Sequence, residues 1–317
     1  MKMDNAGRFE FALNVLTPRI AELFSALGED KKSEIREIRL RTGKPVIAVD
    51  KDGISFMMPS GRLTRIYSDL AVCTDEKDIQ DTFHRVCDFS VYSHKDAINK
   101  GFVTVRGGHR AGIAGTAVTE NGAVVSVRDI SCINLRIARE IKGAADGIFE
   151  RAFRNGVEDI IIAGPPSSGK TTVLRDLVRR VSDVSPGLAA KTFVCDERGE
   201  IGAVFSGVAQ NDVGINTDVI TSYPKSEGII IGIRSFSPDI IVCDEIATQS
   251  ELEAVKTGLG SGVRFALSVH AENRDDLKRK TIVRELLLTG AFKKVFLLSS
   301  VCAGKIEGFF TAGDLLD

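Results

Sequence analysis

The sequence predicts an α/β protein in two parts: a C-terminal half built on a mostly parallel sheet with helices on both faces, preceded by a smaller α+β part. Three observations predict it. Unbroken apolar runs of strand length at 159–163, 191–196, 239–244, 263–269 and 294–299 alternate with helical patterns, as in a sheet buried on both sides. Upstream, short β-type runs at 37–40, 45–49 and 101–106 are punctuated by Gly-Lys, Asp-Gly and Gly-Gly, with helical patterns near 5–27 and 74–86. The length of 317 residues fits two domains of about 150 each. The regime changes across 143–156, which reads as a short helix between glycines, so the expected domains are 1–145 and 146–317.

Composition narrows the function classes. Lys and Arg sum to 42 and Asp and Glu to 43, a net charge of -1, so no global field draws the chain to nucleic acid or anionic lipid. The longest run without a charged residue, 201–211, is well short of the roughly 18 residues that a membrane helix needs. No transmembrane segment is expected. The N-terminal stretch MKMDNAGRFEFALNVL lacks the apolar core and cleavage site of a secretory signal, which points to the cytoplasm. Six widely spaced cysteines include no Cys-x-x-Cys, which speaks against disulfides and structural zinc. Cys195 and Cys243, each before an aspartate at the end of an apolar run, read as small core residues.

The run at 159–163 leads into Gly164-Pro165-Pro166-Ser167-Ser168-Gly169-Lys170-Thr171-Thr172, which satisfies GxxxxGK[ST] between a strand and a helix. That pattern is a phosphate-binding loop. Its glycines let the backbone curl so that successive N–H groups face a β-phosphate, and the following helix adds the partial positive charge of its N-terminus. Lys170 is expected to reach the β- and γ-phosphates of ATP and Thr171 to offer a hydroxyl to Mg2+, while Pro165 and Pro166 stiffen the loop.

Four apolar residues followed by Asp244-Glu245 form the second marker. On a parallel strand beside the phosphate-loop strand, Asp244 would join the Mg2+ shell and Glu245 would polarise water for attack on the γ-phosphate. A third acidic cluster, Asp196-Glu197-Arg198-Gly199-Glu200, also ends an apolar strand. It has two readings: Glu197 orders water or an outer-sphere Mg2+ contact, or Asp196 caps a helix whose dipole Glu197 and Glu200 complement. His270 follows the run 263–269 on the ligand side of such a sheet, either as a γ-phosphate sensor or as a hydrogen-bonded structural residue.

Further strings set these motifs in context: Gln210-Asn211-Asp212-Val213-Gly214, Tyr223-Pro224-Lys225-Ser226-Glu227-Gly228, Arg234-Ser235-Phe236-Ser237-Pro238-Asp239 and, upstream, Gly107-Gly108-His109-Arg110-Ala111-Gly112-Ile113-Ala114-Gly115. Together they make the chain resemble the stage III sporulation protein AA family over most of 34–275. The resemblance implies a RecA-like ATPase domain related to the motor ATPases of type II secretion, type IV pili and VirB11, working as a homo-oligomeric, hexameric ring. It also implies a peripheral place at the inner face of a membrane, with sporulation channel proteins between mother cell and forespore as partners. On the same footing Glu197 falls in an acidic box, Arg234 in an Arg-x-x-x-Pro-Asp block and His270 in a histidine box, so all three are expected to be catalytic. Two positions depart from the family pattern: Asn216 stands where arginine is usual, and Ala247 where glycine is.

Residues 95–142 carry eight Lys or Arg against four acids. In a ring such an arginine can reach a neighbouring subunit's ATP, and Arg110, set in glycine-rich backbone, is the candidate; the other reading is a solvated basic surface. A nucleic-acid-dependent RecA-like translocase is the main alternative function. Against it stand the absence of Trp, only three Tyr and no basic run interleaved with aromatics. A kinase or nucleotide-binding scaffold is the third, although Glu245 directly after Asp244 fits water activation better.

Overall fold

The computed structural model describes residues 5–184 and 188–316, which divide into two compact units. One comprises the chain up to Glu140 together with Phe205–Gln210; the other comprises Ile141–Val204 and the chain from Asn211 onward.

The first unit is an antiparallel sheet of β1 (Glu37–Arg41), β2 (Ile47–Asp50), β3 (Gly53–Met57), β4 (Leu63–Thr64), β5 (Phe102–Val105), β6 (His109–Glu120) and β7 (Ala123–Arg136), in the order β4-β3-β2-β1-β7-β6-β5. Where one helical stretch is expected at 5–27, the structure has two helices, Asn5–Leu13 and Pro18–Ser25. Proline is the reason, since Pro18 has no N–H to continue a helix and is preset to begin one. These helices bury Phe9, Ile20 and Phe24 in one core with Ile38 and Leu40 of β1. The helix Glu76–Val86 opens with a reciprocal cap, in which Asp75 and Asp78 each accept the other's backbone N–H. The long β6–β7 hairpin is an addition to the sequence reading. Its two-residue turn, Asn121-Gly122, has both residues left-handed (φ 50° and 80°), the type I′ geometry that matches strand twist.

The second unit holds β8 (Ile160–Gly164), β9 (Thr192–Asp196), β10 (Thr217–Thr221), β11 (Ile240–Cys243), β12 (Arg264–His270), β13 (Lys294–Leu298) and β14 (Ile306–Thr311). Their order is β10-β9-β11-β12-β8-β13-β14, parallel throughout except for β13 against β14. Every residue of β8, β9 and β11 is buried, which explains their unbroken apolar runs; Cys195 and Cys243 sit opposite each other in that core. Strand β10 escapes the pattern because it is a partly exposed edge strand of mixed polarity, Thr-Asp-Val-Ile-Thr.

One expectation about strand order is corrected. The strand that ends before Asp244 is not beside the phosphate-loop strand: β12 lies between β11 and β8 and pairs with both. Because these strands are parallel, the segments that follow β8, β9, β11, β12 and β13 all emerge at one edge of the sheet, where ligands bind in open α/β folds.

In the first unit, His109 is fully buried, with Nδ1 accepting the Ala138 N–H at 3.0 Å. Burial, aided by the nearby Arg8 charge, lowers its pKa to about 4. The folded chain therefore resists a proton that the unfolded chain accepts at a pKa of about 6.5. Stability is undiminished above that value and falls as pH drops from it towards 4. At pH 5 the expected loss is about 2 kcal/mol. Denaturant unfolding at pH 7 and pH 5 should show this decline in the wild type and a smaller one in His109→Gln; equal declines would contradict it.

Candidate active site

The phosphate loop connects β8 to the helix Lys170–Ser182. Ser167 and Gly169 are both left-handed, with φ 62° and 89°. Glycine is required at 169, because a Cβ there would lie 2.8 Å from the Gly304 nitrogen as well as in strained backbone. Gly164 is closely packed too, since its Cβ would meet the buried Ser168 hydroxyl at 2.4 Å. The loop is held from the far side, where Gly304 donates its N–H to the Ser168 carbonyl at 2.7 Å. Lys170 turns its ammonium inward onto the carbonyl oxygens of Gly164 (2.8 Å) and Pro165 (2.9 Å). Burial lowers its pKa, and the Asp244 and Glu245 carboxylates oppose that shift.

Across the edge, the Thr171 hydroxyl donates to Asp244 at 2.6 Å. Ser268 on β12 donates to the other Asp244 oxygen and accepts the Glu245 N–H at 2.8 Å. One serine thus ties the two acidic residues to the strand between them and the loop. Glu245 is left-handed (φ 56°), a conformation that costs a glutamate roughly 1–2 kcal/mol and persists only where its surroundings impose it. Its carboxylate pairs with Arg198 at 2.6 Å.

The third acidic cluster is resolved structurally. No helix follows β9; Asp196 instead accepts the backbone N–H groups of Glu200, Ile201 and Gly202 and so organises a non-helical loop. Burial raises its pKa, with these amides counteracting the rise. Arg175, on the phosphate-loop helix, donates to the carbonyls of Glu200 and Ile201 and binds that loop to the site. Glu197 is the exposed member, with its carboxylate 3.7 Å from the Lys225 ammonium.

The sheet register places His270 directly opposite Gly164, at the root of the phosphate loop. The second unit therefore brings Gly164 to Thr172, Asp244, Glu245, Glu197 and His270 to one edge. Arg234 is not among them. It lies in the last turn of the helix Lys225–Ser235, about 13 Å along the axis from Lys225 at ~1.5 Å per residue, and exposed. Arg110 belongs to the first unit, with its guanidinium 4.1 Å from the centre of the Phe102 ring. Sequence reasoning missed Ser268, Arg175 and Arg198; a buried serine in the otherwise apolar 265–269 stretch was the one local signal.

The donors suit a nucleotide with a divalent cation. Two hard oxygens, the Thr171 hydroxyl and the Asp244 carboxylate, share one point beside a loop whose amides and lysine are built for phosphate, which is how Mg2+ is held when phosphates supply its other ligands.

Known proteins resemble the chain in family and in fold. A family model described as sporulation stage III, protein AA, matches residues 8–314. The chain belongs to the stage III sporulation protein AA family. It is 34% identical over 286 residues to stage III sporulation protein AA of Bacillus subtilis, covering 90% of this chain and 89% of that one. Among solved structures it is similar to the Yersinia pseudotuberculosis ATPase DotB (TM-score 0.55, 13% identity, 89% and 76% of the two chains). The pilus retraction motor PilT with bound ADP is also similar (TM-score 0.52, 18% identity, 88% and 76%). These likenesses establish the fold, a RecA-like α/β domain preceded by a smaller α+β part.

Within the family pattern, the two departures fall where the site does not need them. Asn216 lies at the opposite edge, where its side chain donates to the Ala189 carbonyl at 2.8 Å and its own carbonyl accepts the Thr192 N–H. Ala247 contributes its N–H to Glu251 at 2.8 Å, a bond any residue but proline can make. Ser268 is the more exacting position. Ser268→Ala should lower the free energy of unfolding by about 1–3 kcal/mol, because it strands the Glu245 N–H and one Asp244 oxygen. Denaturant midpoints of wild type and variant measure this, and coincident curves would refute it.

Proposed function

We propose that the chain is a Mg2+-dependent ATPase of the secretion-motor kind that serves sporulation. The observation that carries this reading is the 2.6 Å hydrogen bond from Thr171 to Asp244, which joins the phosphate loop to the acidic strand end at the place a cation bridging phosphates would occupy. The loop N–H groups from Ser167 through Gly169, the Lys170 ammonium and the helix N-terminus with Thr172 bind the phosphates, while Gly164, Pro165 and Pro166 shape the loop. Thr171 and Asp244 would hold Mg2+, which would supply charge neutralisation for the phosphates. Glu245 accepts the proton of the attacking water, and Glu197 and His270 flank the terminal phosphate.

Family membership supports the sporulation setting. The likeness in fold to DotB and PilT supports assembly into a ring, taken here as hexameric, in which the portion 1–145 moves against 146–317 to transmit work. In that ring Arg110 or Arg234 acts on the ATP of a neighbouring subunit. The ring works from the cytoplasmic side of a membrane and energises channel proteins of the sporulation apparatus. Among the described residues no helix is long and apolar enough to cross a membrane, so attachment would run through those partners.

Steady phosphate release tests the activity. Glu245→Gln should keep ATP binding and lose turnover by about 10²-fold or more, since it removes the proton acceptor and nothing that holds phosphate. A variant hydrolysing at the wild-type rate removes Glu245 from this role, and hydrolysis that appears only with DNA would favour a nucleic-acid motor.

A further inference from the structure

Lys225 opens the helix Lys225–Ser235, yet only 8% of its surface is exposed. Its ammonium donates to the carbonyl oxygen of Glu245 at 2.6 Å and to that of Asp244 at 3.3 Å. Two carboxylates balance the charge, Glu251 at 3.1 Å and Glu197 at 3.7 Å. Glu251 also accepts the N–H groups of Ala247 (2.8 Å) and Thr248 (2.9 Å). Burial pushes the Glu251 carboxyl up, and those amides with Lys225 more than reverse it, so it stays ionised below its usual range.

A buried ammonium has three donors to satisfy, and Glu251 takes one of them. Lys225 spends two donors on the main chain at Asp244 and Glu245, the residue in strained left-handed backbone. Ser268 already fixes the peptide on the amino side of Glu245. On the carboxyl side the peptide is held at its nitrogen by the Ser268 carbonyl, which accepts the Ile246 N–H at 2.9 Å, and at its oxygen by Lys225. With both peptides held, the direction of the Glu245 side chain is no longer free, and the same ammonium tethers the acidic loop through Glu197.

We infer that Lys225 is a positioning residue for water activation: its ammonium, seated on the Asp244 and Glu245 carbonyls, locks the left-handed turn that aims the Glu245 carboxylate. The inference rests on Glu245 being the proton acceptor. The contacts of Lys225 run to Asp244, Glu245, Glu251 and Glu197, and its effect on turnover runs through the Glu245 turn.

A double-mutant cycle on the full chain tests this, with kcat and the Kd for ATP measured for wild type, Glu245→Gln, Lys225→Met and the double variant. Lys225→Met should lower kcat by about 10- to 100-fold. Its Kd for ATP should stay within about 3-fold of wild type, because no phosphate contact is removed. In the Glu245→Gln background the same change should add no further loss, as expected of a group that works through the missing carboxylate. Wild-type kcat in Lys225→Met, or a loss that multiplies in full with that of Glu245→Gln, overturns the assignment. Should Lys225→Met fail to fold, Lys225→Gln, which keeps a donor without the charge, takes its place with the same two outcomes. A wild type without turnover, or a Glu245→Gln variant at full rate, defeats the reading of the site itself and is distinguishable from both.

Discussion

The hydrogen-bond relay from Thr171 through Asp244 to Ser268 is the constraint on which the rest depends. It joins the phosphate-loop helix, the end of β11 and the neighbouring strand β12, three elements far apart in sequence. Without it the loop and the acidic pair would be two separate features of one sheet edge. With it they form a single site in which a cation's protein ligands are already in contact. Parallel strand order makes the relay possible: β12 stands between β11 and β8, so a serine on that strand reaches both the aspartate and the peptide that follows it.

Around that relay the chain accepts unfavourable local states and compensates for each. Glu245 adopts left-handed backbone, held by Ser268 on one side and Lys225 on the other. Lys225 is buried as an ammonium, balanced by Glu251 and Glu197. Asp196 is buried as a carboxyl group, satisfied by three amides of the loop it shapes. Strain and buried charge of this kind persist only where neighbouring structure over-determines them, and here they converge on the carboxyl edge of one sheet. The opposite edge has a buried carboxyl group of its own, Asp159, held by Arg264 and the Phe265 N–H, but among the described residues no phosphate loop or acidic strand end lies beside it.

What the sequence made legible follows from how locally each feature is encoded. The phosphate loop is contiguous, its glycines are dictated by left-handed backbone and close approach, and its strand and helix lie directly on either side. Strands β8, β9 and β11 announce themselves because burial on both faces demands uninterrupted apolar residues. Strand order leaves no such trace, so β12 was not anticipated between β11 and β8. Lys225 and Arg198 stand in strings that the sequence singles out, yet their places in the site, like those of Arg175 and Ser268, arise only through tertiary packing. The β6–β7 hairpin was within reach, since Asn121-Gly122 is a strong turn signal, but its exposed outer half mixes valine, alanine and threonine without a period of two, so no alternation marks the strands. At Asp196 the helix-cap reading fails, because the side chain gathers three backbone amides into a non-helical loop instead.

Equilibrium binding of ATP, with and without Mg2+, to the wild type and to Lys170→Ala tests the central claim most directly. The account predicts saturable binding by the wild type that Mg2+ strengthens and that Lys170→Ala weakens by about 10-fold or more, the loss of one charge-assisted phosphate contact. A wild type that fails to bind ATP in the presence of Mg2+, or one that binds it no better than Lys170→Ala, would contradict it.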